Sequence, residues 1–201
     1  MNLLAHAYLS GRHPELIIGN FSGDFIKGDP ENPRHQLTPG EIAGVRLHRA
    51  IDTFTDEHPA VAAVRDLLHP RCHKYAGAAV DIFFDHFLAA NFLTLTGEPL
   101  SGFVAYFYQT IQMHTNRLPA PVARMAEYMI RQDWLMSYQF LEGIDRSLKG
   151  VSRRTAYPSG LDTAIEDLER YYTEIGTYFA DFWPQLVRHI RGVIQAMNVS
   201  R

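Results

Sequence analysis

"AVDIFFDHFLAANFL", residues 79–93, is apolar on nearly every side when wound as a helix. A helix that is hydrophobic all round is a buried one, so this stretch predicts a helical core. It nevertheless carries Asp81, Asp85 and His86. Unpaired charge is costly to bury, so such groups are expected to be paired or to hold a metal ion.

Outward from this segment the chain reads as helix throughout, with no period-two alternation that would mark a strand. A first helix is expected over 2–10, and a second over 14–27, weakened by Gly19, Ser22 and Gly23. "GDPENPRHQL" (28–37) is a breaker-rich loop. In "TPGEIAGVRLHRAIDTFTDEHP" (38–59), Thr38 is an N-cap, Pro39 takes the first helical position and Glu41 completes a capping box. That helix is expected to run from 39 to 56 and stop before Pro59. Further helices are expected over 60–68, 74–95, 99–115, 120–132, 134–148, 160–179 and 181–198. Ser159 with Asp162 marks one start, and Pro184 suits the first turn of the last helix. The expectation is an all-α, single-domain multi-helix bundle spanning residues 1–201.

Composition narrows the function classes. The chain has 201 residues, 46% hydrophobic and 20% charged, as in an ordinary globular protein. Its formal net charge of −3 argues against a nucleic-acid binder. The one cysteine, Cys72, rules out an internal disulfide and fits a reducing, cytoplasmic setting. The N-terminus lacks a basic segment before its short apolar run, which His6 interrupts, so no signal peptide is expected. No apolar run reaches the ~18 residues of a membrane span.

The chemistry-bearing residues concentrate in the first 90 positions. His48 and Asp52, four apart in "LHRAID", share one helix face, as do Asp81 and Asp85. His86 follows Asp85 directly, Asp24 lies in "GNFSGDFIKG", and His6 sits between two alanines. Imidazole nitrogens and carboxylates from several helices suit a divalent ion such as Mn²⁺, Fe²⁺ or Mg²⁺ and hydrolytic work, and the lack of cysteine ligands argues against structural zinc. Each piece also has a plain structural reading. His48 and Asp52 could form a local ion pair, Asp81 could pair with Arg46 or Arg49, His86 could be a satisfied core histidine, and Asp24 could cap a helix. Asp56 and His58, before Pro59, read as solvated. A single metal site would satisfy most of these groups together.

A basic run, "RSLKGVSRR" (146–154), holds Arg146, Lys149, Arg153 and Arg154 with no acid inside it. It is either a solvated loop or a docking patch for an acidic partner or phosphate group. Arg46 and Arg49 flank His48 and could also meet phosphate oxygens. The aromatic runs 103–111 and 171–183 read as core packing.

Taken together, "NLLAHAYL", "GNFSGDFIKG", "HRAIDTFTDEHP" and "DIFFDHFLA", in this order and at these separations, resemble the acyl carrier protein phosphodiesterase family, and "WLMSYQ" (134–139) is similar to its W-L-x-x-Y segment. The resemblance implies an all-helical fold distantly like the HD-type metal phosphohydrolases. It implies hydrolysis of the phosphodiester between 4′-phosphopantetheine and a serine of holo-acyl carrier protein, with a divalent metal, typically Mn²⁺. Carried over by position, Asp24, His48, Asp85 and His86 become the expected metal ligands, with Asp52 a further ligand or a group orienting His48. His6 and Asp81 are expected to support the site or move protons, and Arg46 or Arg49 to stabilise phosphoryl charge. The acidic carrier protein is expected to dock on Arg146, Lys149, Arg153 and Arg154. The HD signature places His before Asp, whereas here the adjacent pair is Asp85-His86. Two other readings remain: an HD-like phosphohydrolase acting on a nucleotide or another small phosphoester, and a non-catalytic helical module that binds an acidic partner.

Overall fold

A computed structural model describes residues 3–197. Among them the regular structure is entirely helical, with twelve α-helices and a few 3₁₀ turns. The N-terminal half contains α1 (Leu3–Leu9), α2 (Pro14–Phe21), α3 (Pro39–Glu57), α4 (Pro59–Cys72), α5 (Ala76–Ala90) and α6 (Phe92–Thr96). The rest contains α7 (Leu100–Met113), α8 (Ala120–Arg131), α9 (Trp134–Ser137), α10 (Leu141–Ser152), α11 (Ile165–Arg170) and α12 (Tyr172–Ala196). The all-α expectation is met, and one contiguous apolar core joins α1 to α12. Among the described residues no helix is long and apolar enough to cross a membrane.

Helix α5 lies in the centre of that core. Val80, Phe83, Phe84 and Leu88 of α5 are fully buried, and Phe84 packs on Phe179 and Phe182 of α12. The expected 74–95 helix is broken at Asn91. Its side-chain Nδ2 donates to the Phe87 carbonyl, which also receives the Asn91 backbone N–H. Asn side chains that compete for backbone partners end helices in this way.

Other boundaries shifted for identifiable reasons. The expected 134–148 helix divides into α9 and α10, because the Tyr138 carbonyl accepts from His86 Nδ1 at 2.8 Å and Phe140 is extended. Pro184 lies inside α12 rather than at a helix start. The buried stripe Ile175, Phe179, Phe182, Leu186 and Ile190 carries that helix across the hydrogen bond proline cannot make. Ser159 opens a 3₁₀ turn, Leu161–Thr163, and not a long helix. Cys72 is fully buried, and burial pushes its thiol up to about 11, so it is no nucleophile.

Two features fix the elements that carry the site. The Thr38–Glu41 capping box forms as expected at the start of α3, and Arg117 grips the Glu41 carboxylate through both oxygens. Helices α2 and α3 also touch backbone to backbone. A Cβ on Gly19 would lie 2.0 Å from the Glu41 carbonyl oxygen, and one on Gly44 would lie 2.5 Å from the Leu16 carbonyl oxygen. Only glycine permits that approach.

Candidate active site

Four elements converge on one small volume. α1 contributes His6, α2 contributes Asn20, the 3₁₀ turn Gly23–Phe25 contributes Asp24, and α3 contributes His48 and Asp52. The i,i+4 spacing of His48 and Asp52 holds as read. His48 Nε2 lies 3.1 Å from Asp52 Oδ2, while His6 Nε2 lies 3.1 Å from Asp52 Oδ1. Each oxygen of one carboxylate therefore faces a different imidazole. Asp24 Oδ1 stands 3.4 Å from His48 Nε2. The two rings lie 4.4 Å apart, and Gly23 makes room for His48, since a Cβ there would meet the ring at 2.2 Å.

Burial is graded across the cluster. His6 and His48 are 7% and 8% exposed, whereas the Asp24 side chain is 79% exposed. Burial lowers the pKa of His6, and the neighbouring His48 lowers it further against the pull of Asp52. Burial would also lower His48, but hydrogen bonds to Asp24 and Asp52 outweigh it and raise the ring to about 9. Burial would raise Asp52, yet the two histidines hold it well below the usual carboxylate range. The His48 hydrogen bond lowers Asp24 as well. The cluster thus favours protonation of His48 over His6.

Ligand atoms of His6, His48 and Asp52 all lie within 4.8 Å of one another. Two imidazole nitrogens and a carboxylate, with Asp24 alongside, form a donor set that could hold a divalent ion.

The cluster forms one wall of a cavity of about 840 Å³. Arg146, Lys149, Arg153 and Arg154 of the α10 region line the same cavity, as do Asp81 and Asp56. The basic run is therefore part of the cavity wall, and neither a detached loop nor a remote patch. Lys149 is held by Asp145 at 2.6 Å, whereas Arg146, Arg153 and Arg154 make no ion pair among the described residues. Phe25, Phe107, Met125 and Trp134 supply apolar lining.

Several expected site residues are placed elsewhere. Asp85 is fully buried and caps α1, accepting from the Leu4 N–H at 2.8 Å and the Ala5 N–H at 3.1 Å. Burial pushes its carboxyl up to about 7, against those two donors. His86 is bonded on both sides, Nδ1 to the Tyr138 carbonyl and Nε2 to the Tyr172 hydroxyl at 2.9 Å. Neither lines the cavity, so the structure does not bring Asp85 and His86 into the donor cluster expected of them. Asp81 and Asp85 share a face of α5 but stand about one turn apart along it, so Asp81 and Ile82 line the cavity while Asp85 reaches the start of α1.

Arg46 and Arg49 are also engaged away from the cavity. Arg46 pairs with Glu31 at 2.6 Å, and Arg49 donates to the carbonyls of Ile26 and Gly28. They secure the loop after Asp24. His58, read as solvated, is buried, accepts the Ala60 N–H to start α4, and packs on Phe182. The sequence reading missed Asn20, which is 1% exposed and contacts both site histidines. An asparagine set between glycine and phenylalanine, one turn before Asp24, was the available signal.

The acyl carrier protein phosphodiesterase family model matches residues 1–186. The chain is 32% identical to the acyl carrier protein phosphodiesterase of Photorhabdus laumondii subsp. laumondii over 188 residues, 93% of each chain. It is 30% identical to that of Enterobacter sp. strain 638 over 200 residues, 98% of each chain. It is 29% identical to that of Shigella boydii serotype 4 over 188 residues, 93% of this chain and 96% of the relative. No solved structure matches this chain. The family match runs through every element that builds the cavity, from α1 to α10, and the chain belongs to the acyl carrier protein phosphodiesterase family.

Proposed function

We propose that this protein hydrolyses the phosphodiester joining 4′-phosphopantetheine to a serine of holo-acyl carrier protein, releasing apo-carrier protein and free 4′-phosphopantetheine. The observation that carries the reading is the pairing of opposite chemistries in one cavity. His6, His48, Asp52 and Asp24 line the same cavity as Arg146, Arg153 and Arg154, in a chain of this family.

His6 and His48, through Nε2, and Asp52 with Asp24, through carboxylate oxygens, would hold a divalent cation, with Mn²⁺ the expected ion and Mg²⁺ or Fe²⁺ the alternatives. Such a cation polarises a phosphoryl oxygen and acidifies water. Arg146, Arg153 and Arg154 neutralise charge on the phosphodiester and on the acidic surface of the carrier protein, a role planar guanidinium groups suit. They replace Arg46 and Arg49 in that task, because those two side chains already hold the 26–31 loop. The leaving serine oxygen requires a proton, and Asp81 and Asp56 are the cavity carboxylates outside the donor cluster.

The test is mass spectrometry of holo-acyl carrier protein incubated with the protein and Mn²⁺, with and without chelator, beside Asp24→Ala and His48→Ala. The expected result is metal-dependent loss of the phosphopantetheine mass that both variants lack. An intact holo-carrier protein after incubation with folded, Mn²⁺-loaded protein would overturn the reading.

A further inference from the structure

Asn20 makes four hydrogen bonds from a fully enclosed position, and their directions are chemically constrained. Its Nδ2 lies 3.0 Å from the His6 backbone carbonyl and 2.8 Å from Ser10 Oγ. The Ser10 hydroxyl spends its one proton on the same His6 carbonyl, at 2.9 Å, so its oxygen accepts from Asn20. A carbonyl can only accept. The amide NH₂ must therefore point at His6 O and Ser10, which aims Oδ1 the other way.

Asn20 Oδ1 lies 2.8 Å from His6 Nδ1 and 3.2 Å from His48 Nδ1. An amide oxygen is an acceptor only, so each ring must place a proton on Nδ1. A neutral imidazole protonated at Nδ1 presents its lone pair at Nε2. Both Nε2 atoms lie 3.1 Å from the Asp52 carboxylate. One asparagine thus orients two nitrogen donors toward one point.

We propose that Asn20 is a positioning residue that fixes the Nδ1–H tautomer of both His6 and His48 and so sets the two nitrogen donors of a divalent-cation site. The cation part rests on the proposed function, while the tautomer part stands on the hydrogen-bond network alone. Without the Oδ1 acceptor, Asp52 would favour the opposite tautomer by accepting from an Nε2–H, and the lone pairs would turn away from the carboxylates.

Long-range ¹H–¹⁵N correlation spectra of the metal-free protein, recorded above the His48 titration, read the tautomer directly. The expected wild-type result is a protonated Nδ1 and a bare Nε2 on both rings. In Asn20→Leu both rings should shift toward Nε2–H, and Mn²⁺ affinity, read by electron paramagnetic resonance of the free ion, should fall by about ten- to a hundredfold. Asn20→Asp keeps acceptor oxygens and should retain the wild-type ring signature. An Nε2–H on either ring of the wild type overturns the proposal whether or not any variant folds. Unchanged Mn²⁺ affinity in a folded Asn20→Leu overturns the cation part. Cleavage of holo-carrier protein is a separate readout: its absence alongside the expected tautomers would sink the proposed reaction and leave Asn20's role standing.

Discussion

Asp85 satisfies two backbone N–H groups of α1, those of Leu4 and Ala5, 81 and 80 residues before it in the chain. The short α1 has little stability of its own, and it carries His6, so a core carboxylate on α5 holds a site histidine in place through α1. Asp85→Ala would strand both donors in a dry interior. The expected loss is about 2–4 kcal/mol, read as a lower urea midpoint with the slope unchanged. His48 and Asp52 make a second prediction, for the metal-free protein. The His48 pKa is raised in the fold, so its contribution to stability is full below the ordinary value of 6.5 and is lost as pH rises through about 9. The Asp52 pKa is depressed, so its contribution is present above the ordinary 3.8 and is lost as pH falls through its lower folded value. Urea midpoints measured with chelator should therefore decline from pH 6.5 to 9, and His48→Gln should flatten that decline.

At the scale of elements, the contact between α2 and α3 sets the site. Gly44 meets Leu16 O and the Asn20 backbone nitrogen, where an added Cβ would stand at 2.5 Å and 2.8 Å. These neighbours are backbone atoms and cannot swing aside. Gly44→Ala should push α2 outward, costing about 1–3 kcal/mol and shifting Asn20 and the turn that carries Asp24. Sub-ångström displacements of catalytic groups are expensive, so kcat/KM should fall by about tenfold or more at temperatures where circular dichroism shows the variant still folded. A Gly44→Ala protein with wild-type kcat/KM would mean that the helix crossing does not control the site.

Over the whole molecule, the negative formal charge of −3 conceals a local asymmetry. Arg146, Arg153 and Arg154 line the cavity without ion-pair partners among the described residues, and Asp24, Asp52, Asp56 and Asp81 line it too. These arginines would attract an anionic substrate, and the aspartates, without a bound cation, would repel it. Reversing Arg153 and Arg154 to glutamate should raise KM for holo-carrier protein and weaken its salt dependence, with kcat less affected. Steady-state kinetics across a salt series checks this, and unchanged kinetics would remove these arginines from substrate binding.

Sequence alone determined what depends on neighbours within a helical turn or two. The capping box at Thr38, the buried character of α5 and the His48–Asp52 face follow from 3.6-residue periodicity and local hydrogen bonding. The order of short motifs also carried the family. The fate of each ionisable group depended on partners far away in the chain. Asp85 reads like a ligand until α1 packs against it, and His86 until the carbonyl of Tyr138 and the hydroxyl of Tyr172 arrive. Arg46 and Arg49 look free until the 26–31 loop folds over them. Only the tertiary structure assembled His6, Asn20, Asp24, His48 and Asp52 and brought α10 to the same cavity, because burial and hydrogen-bond satisfaction are settled between elements.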